Sequence, residues 1–148
     1  PLKLVCIGEP GFGYEESAIP ALGMLAPERL VVLSRLPETE LQTLYANALV
    51  SLQPSWDEGF GLPVLEAMAH GCPVITANLG ATREVGQGAA TLVDPEFPEQ
   101  SVAAIEQLRS DRSYRQQMIT AGLGRARTFT WKHYGDSLVG LYRKLLSL

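Results

Sequence analysis

Apolar and polar positions change period along this chain in a regular way. Leu2 to Ile7 is a continuous apolar run with one early lysine, the pattern of a strand buried on both faces. Gly8 to Tyr14 reads as a glycine-rich loop, and Glu15 to Leu25 as a helix. Leu30 to Leu33 is a second short strand. Leu41, Leu44, Tyr45 and Ala48 then fall at i, i+3, i+4 and i+7, which predicts an amphipathic helix over Glu38 to Asn47. Leu49 to Leu52 is the next strand and ends at Gln53-Pro54-Ser55, while Pro73 to Ala77 and Ala90 to Val93 complete about five strands. Helices follow at Pro98 to Arg109 and Ser113 to Arg127, the second weakened by Gly122 and Gly124. Thr130 is a natural N-cap for a last helix, Trp131 to Leu146, in which Leu138, Leu141, Tyr142 and Leu145 keep helical spacing. Strands alternating with helical patterns predict an α/β fold, a Rossmann-like three-layer parallel sheet with crossover helices.

The chemistry concentrates in Glu58-Gly-Phe-Gly-Leu-Pro-Val-Leu-Glu66, where two carboxylates stand eight positions apart across a glycine turn and a helix start. Pro63 suits the first helical position, where its missing N–H is no loss. Val64, Leu65, Ala67, Met68 and Ala69 read as a buried helix that stops at Gly71. Gly59 and Gly61 let the backbone approach a ligand, and a helix N-terminus with open donors suits phosphate. Carboxylates beside an anion site make sense when each has a hydroxyl to hold. A sugar and a ribose joined by a diphosphate supply such hydroxyls. In an open parallel sheet ligands sit outside the carboxyl ends of the strands. Gly8, Ser34-Arg35-Leu36, Pro54 to Gly61 and Asn78-Leu79-Gly80 all follow predicted strands.

Pro54-Ser55 and the stretch from Glu58 through Glu66-Ala-Met-Ala-His-Gly-Cys-Pro-Val-Ile75 resemble the signature of retaining glycosyltransferases of family 4, with its E-x7-E pair. Leu4-Val-Cys-Ile-Gly8, Leu33-Ser-Arg-Leu-Pro37 with Leu41 and Leu44-Tyr45-Ala46, Leu92-Val-Asp-Pro95 and Phe129-Thr-Trp131 extend the likeness over nearly the whole chain. The resemblance implies the C-terminal donor-binding domain, one half of a GT-B fold, in residues 1–148. It implies transfer from a nucleotide diphosphate sugar to an acceptor hydroxyl with retention of configuration. Leu36-Pro37 and Leu62-Pro-Val-Leu-Glu66 are most similar to mannosyl- or rhamnosyl-type members acting on surface polysaccharide, so GDP-mannose is the first donor expected and a UDP-linked sugar the other.

Roles follow from the same likeness. Glu66 is expected to accept from the ribose 2′ and 3′ hydroxyls. Glu58 is expected to be the catalytic acid group, holding a hydroxyl of the sugar and steadying positive character at the anomeric carbon. The amides of Phe60, Gly61 and Leu62 are expected to bind diphosphate and sugar, the backbone at Arg35 and Leu36 to meet the base, and Gly8 to line the site. The basic residue that neutralises the diphosphate in relatives is expected in a segment before Gly8 of a longer protein. An acceptor, glycan or lipid-linked, is expected on a preceding domain. The piece alone is therefore expected not to turn over. Two other readings stand beside this one: a sugar-nucleotide-binding module without catalysis, and an epimerase of the same fold, which the complete glutamate motif opposes.

Composition narrows the field further. At 148 residues the chain has the size of one domain, enough to bury roughly 70% of the surface an unfolded chain exposes. Net charge is −4, which gives no bulk attraction for nucleic acid. No apolar stretch reaches the roughly 18 residues of a membrane span, and no signal peptide opens the chain. A cytoplasmic protein is expected, with placement at the inner face of the membrane open for the full-length form. Cys6 and Cys72 read as buried free thiols, His70 and His133 as structural, and Asp94-Pro95-Glu96 as a turn rather than a metal-binding D-x-D. Neither metal nor cofactor is expected. Trp131 and Tyr134 read as helix-packing aromatics.

Overall fold

A computed structural model describes residues 2–9 and 27–146. The loop and helix expected from Gly8 to Leu25 lie largely outside the described residues. The chain divides into two compact units, Pro1–Leu41 and Gln42–Leu148.

In the first unit β1 (Leu4–Ile7) pairs in parallel with β2 (Leu30–Leu33), in register from Leu4 opposite Leu30 to Ile7 opposite Leu33. A single 3₁₀ turn, Pro27–Arg29, leads into β2. β1 begins two residues later than its apolar run, and it is not buried on both faces as that run predicts. Leu4, Val5 and Ile7 remain 38–43% exposed, because β1 has one ladder neighbour among the described residues. Cys6 is correspondingly half-buried rather than buried.

Helix α1 (Glu38–Asn47) spans the boundary between the units and has the predicted limits. In the second unit β3 (Ser51–Gln53), α2 (Leu62–Ala69), β4 (Val74–Ala77), α3 (Gly80–Gly86), β5 (Thr91–Val93), α4 (Pro98–Ser110), α5 (Arg112–Ala126) and α6 (Trp131–Leu146) follow in order. The strands form a parallel ladder β3-β4-β5, with Gln53 opposite Thr76 and Ala77 opposite Val93. All four residues of central β4 are buried. Val74 belongs to one apolar cluster with Val64, Ala67, Met68 and Val85, and Ile75 to a second with Val93, Ala104 and Leu108. Neighbouring residues of a strand point to opposite faces. So α2 and α3 cover one face of β4 and α4 the other, giving three layers within this unit. Each fully buried aliphatic contributes roughly 1.5–3 kcal/mol over leaving it in water.

Local chemistry fixes the helix ends. Asp111 caps α5 by accepting from the Tyr114 amide at 2.9 Å, which starts that helix one residue before Ser113. Thr130 Oγ1 accepts from the His133 amide at 3.1 Å, the cap predicted for α6. None of the residues of α6 is buried; Trp131 and Tyr134 meet edge to face and are exposed, not packed into a core. No described helix is long and apolar enough to cross a membrane.

The two glycines of α5 have opposite meanings. A Cβ at Gly122 would lie 3.2 Å from Met68 Cγ and 3.5 Å from its Cβ, so α2 and α5 touch through that glycine. Nothing lies within 4 Å of a Cβ at Gly124. We expect Gly122→Val to destabilise the protein by about 1–3 kcal/mol through overpacking. Gly124→Ala is expected to stabilise by about 0.5–1 kcal/mol through helix propensity. Urea unfolding midpoints check both, and equal shifts in the same direction would contradict the packing account.

Candidate functional site

The glycine turn after β3 is built from the strand outward. Gln53 closes β3, where its carbonyl accepts from Thr76 Oγ1 at 2.9 Å and locks the strand end to β4. Its side chain turns to the loop: Gln53 Nε2 donates to Glu58 Oε1 at 3.0 Å and to Ser55 Oγ at 3.2 Å. Ser55 Oγ donates to the same Glu58 oxygen at 2.9 Å. Glu58 is thus half-buried and held by two donors on one oxygen, and its second oxygen has no partner among the described residues. Charge-assisted bonds of this kind are about twice as strong as neutral ones, so the carboxylate is well fixed. Gln53 and Ser55 are the site residues that motif reading left without a role. The signal available was an amide side chain ending an otherwise apolar strand.

Gly61 then turns the backbone into α2 with φ +87°, the left-handed region that favours glycine. Its carbonyl accepts from Val64 and Leu65, at 3.1 and 3.4 Å. The amides of Phe60, Gly61 and Leu62 donate to none of the described residues, and Pro63 has no amide to satisfy. Three main-chain donors therefore stand at the positive end of α2, an arrangement suited to an anion. Phe60 and Leu62 are exposed and Gly61 is buried. Beneath Gly61 stands Thr82 of α3, whose methyl would be 3.5 Å from a Cβ at Gly61. Thr82 Oγ1 bonds the carbonyls of Ala77 and Leu79 at 3.1 and 2.8 Å, which fastens the turn after β4. Helix α3 had no signal in the sequence, since it is short and bounded by glycines.

Glu66 lies on α2, exposed, and its carboxylate has no hydrogen-bond partner among the described residues. At the far end of α2, His70 Nδ1 is 2.8 Å from the Glu66 carbonyl. A carbonyl only accepts, so the proton sits on Nδ1. The imidazole stacks on Tyr45 at 6.1 Å, and Gly71 with φ +71° ends the helix. His70 is thus held by the Glu66 carbonyl and the Tyr45 ring. Burial, and then the charge of Glu66, push the Tyr45 hydroxyl up to about 12. Asp94 Oδ1 accepts from the Glu96 amide at 3.0 Å, a turn after β5. In the first unit Gly8 follows β1, its amide donating to the Leu33 carbonyl at 2.9 Å, and Arg35 and Leu36 follow β2, the first exposed and the second half-buried. No group of three or more His, Cys, Asp or Glu side chains arranged to hold a metal occurs among the described residues.

Cys72, buried behind α2, is pushed up from 9.0 to about 11 by burial, offset only in part by a backbone hydrogen bond at Ser51 and the charge of Arg115. The folded state therefore holds this proton where the unfolded chain has lost it. Stability is complete below pH 9 and falls as pH rises toward about 11, by about 3 kcal/mol at most. Cys72→Ala is expected to flatten that part of the stability–pH curve, measured by denaturant unfolding; an unchanged slope would assign it to Tyr45 alone.

Parallel strands between helices, in this order, are the architecture of GT-B glycosyltransferases. The chain belongs to the family of glycosyl transferases group 1, whose model matches residues 1–125. It is 36% identical over 113 residues to the O-antigen chain mannosyltransferase B of Escherichia coli, across 76% of this chain and 30% of that protein. It is 35% identical over 149 residues to the D-inositol 3-phosphate glycosyltransferase of Corynebacterium urealyticum, across 96% of this chain and 35% of the other. Among solved structures it superimposes on Anabaena HepE in complex with UDP-glucose with a TM-score of 0.80 at 20% identity, over 99% of this chain and 41% of that one. The chain spans about a third of the length of the curated relatives it matches.

Proposed function

We propose that this chain supplies the donor site of a retaining, metal-independent glycosyltransferase and forms its C-terminal domain, the acceptor being held by a preceding domain. The observation that carries the reading is the pairing of a fixed carboxylate, Glu58, with three unengaged amides at the start of α2. The donor diphosphate takes the amides of Phe60, Gly61 and Leu62. The sugar presents a hydroxyl to the free oxygen of Glu58, whose charge offsets positive character at the anomeric carbon. The acceptor oxygen bonds to that carbon on the face from which the diphosphate oxygen departs. The acceptor proton passes to the departing diphosphate. Glu66 accepts from the ribose hydroxyls. In the first unit the family likeness assigns the backbone at Arg35 and Leu36 to the base, and Gly8 enters the reading because it follows the carboxyl end of β1.

GDP-mannose is the first donor of this reading, supported by the likeness to the Escherichia coli mannosyltransferase. The complex of Anabaena HepE makes UDP-glucose the comparison donor. The reading puts the protein in the cytoplasm, at the inner face of the membrane where the acceptor is lipid-linked. Calorimetry and turnover of the full-length protein with both donors test it. Glu66→Ala is expected to weaken donor binding about 10–100-fold, the worth of hydrogen bonds to a charged acceptor. Unaltered affinity would remove the ribose role alone. Tight binding of either donor with no transfer to any hydroxyl, including water, would favour a binding module without catalysis.

A further inference from the structure

We propose that Arg125 and Phe129 are positioning residues for the donor loop, acting through Phe60; the proposal rests on the donor-site reading above. The turn has few side chains with which to hold its shape. Phe60 stands between Gly59 and Gly61, and a Cβ at Gly59 would touch nothing within 4 Å. Phe60 is itself 49% exposed, so burial does not fix it. Its ring meets that of Phe129 at 6.1 Å with the planes 85° apart, the edge-to-face arrangement that ring quadrupoles favour.

Phe129 is anchored in turn. It packs against the apolar cluster of Val64 and Met68, and the Arg125 guanidinium lies 4.7 Å from its ring centre. The same guanidinium donates to the carbonyls of Glu84 at 2.7 Å and Val85 at 3.0 Å. Those carbonyls belong to the last turn of α3, the negative end of its dipole. α3 also carries Thr82 against Gly61. One side chain therefore ties the end of α5 to the end of α3 and, through two rings, to the residue between the loop glycines. Arginine is specifically suited, because its planar fork reaches two carbonyls while its face covers a ring; lysine offers a point charge. Neither Arg125 nor Phe129 is among the proposed donor contacts, so their effect is on where the loop amides stand.

The test uses Phe129→Leu, which removes the ring and keeps apolar bulk, and Arg125→Lys, which keeps the charge, each in the full-length protein. Each is expected to raise the donor KM about tenfold with kcat within about threefold, the signature of lost uniform binding. Each is also expected to speed deuterium uptake at the amides of Val64 and Leu65 by about tenfold or more, since their bonds to the Gly61 carbonyl open with the loop. Phe129→Tyr is expected to restore both. Tyr114→Phe, which removes only the 2.9 Å hydroxyl contact with Thr91, is the control for a general loss of stability and should move neither. Unchanged uptake at Val64 and Leu65 in Phe129→Leu overturns the brace whether or not the protein turns over a nucleotide sugar. Faster uptake with an unchanged donor KM overturns its link to the donor. If the unsubstituted protein transfers no sugar from either donor, the functional reading falls, and the uptake measurement alone decides the brace.

Discussion

In the full-length protein, Glu58→Gln is expected to lower kcat about 10²–10³-fold with little change in fold stability. The reason lies in how the carboxylate is held. One oxygen accepts from both Gln53 and Ser55, and a glutamine carbonyl in the same place accepts from both as well. What the substitution removes is the negative charge and the acceptor at the second oxygen, the features asked to act on the sugar. Glu58→Ala would be a poorer experiment. It leaves the Gln53 amide and the Ser55 hydroxyl without their acceptor in a half-buried site, at about 1–3 kcal/mol for each group left unsatisfied. Any loss of turnover would then mix chemistry with a displaced loop. Steady-state kinetics on Glu58→Gln, with unfolding curves beside them, separates the two. Normal kcat in that variant would remove Glu58 from the chemical step.

Gly61→Ala is expected to raise the donor Kd about 10–100-fold, the worth of one or two hydrogen bonds to a charged group. Space is not the obstacle, because the nearest atom to a new Cβ would be the Thr82 methyl at 3.5 Å, an ordinary contact. The backbone is. A side chain at φ +87° costs about 1–2 kcal/mol, and the chain relieves it most easily by rotating the peptides on either side of residue 61. Those peptides carry the Gly61 and Leu62 amides, two of the three donors at the helix start. Calorimetry with GDP-mannose and UDP-glucose measures the effect. Gly59→Ala is the comparison, since that position has ordinary φ and open space around it. Equal losses in the two variants would contradict the role given to the turn at Gly61.

Much of the second unit was legible because its elements announce themselves physically. Helix α2 sits between a proline in its first turn and a left-handed glycine after its last, and Val64, Ala67 and Met68 keep the buried stripe expected of it. α1, β2 and α6 have the predicted limits, and α4 and α5 differ by a residue. Other features left no comparable trace. β3 runs from Ser51 to Gln53 rather than over Leu49 to Leu52, because its pairing with Val74 to Thr76 sets its bounds and not its apolar content. α3 has seven residues between glycines, too short for a helical period to show. The Gln53–Ser55–Glu58 cluster is a tertiary event within a loop, and polar residues near a turn are ordinary in sequence. The exposure of Leu4, Val5 and Ile7 was illegible for a related reason: an apolar strand records what it tolerates against it, not how many neighbours it has.

Helix α6 buries none of its residues, and the Thr130 cap, the exposed Lys132–Asp136 pair at 2.7 Å and the basic residues of its last turn steady it locally. On local forces alone a helix of 16 residues is marginal in water. The Lys132–Asp136 pair adds little, since a cation preceding its anion is the weaker orientation along a helix. A nick in α6 would leave the three-strand ladder and both apolar clusters standing, since neither includes a residue of that helix.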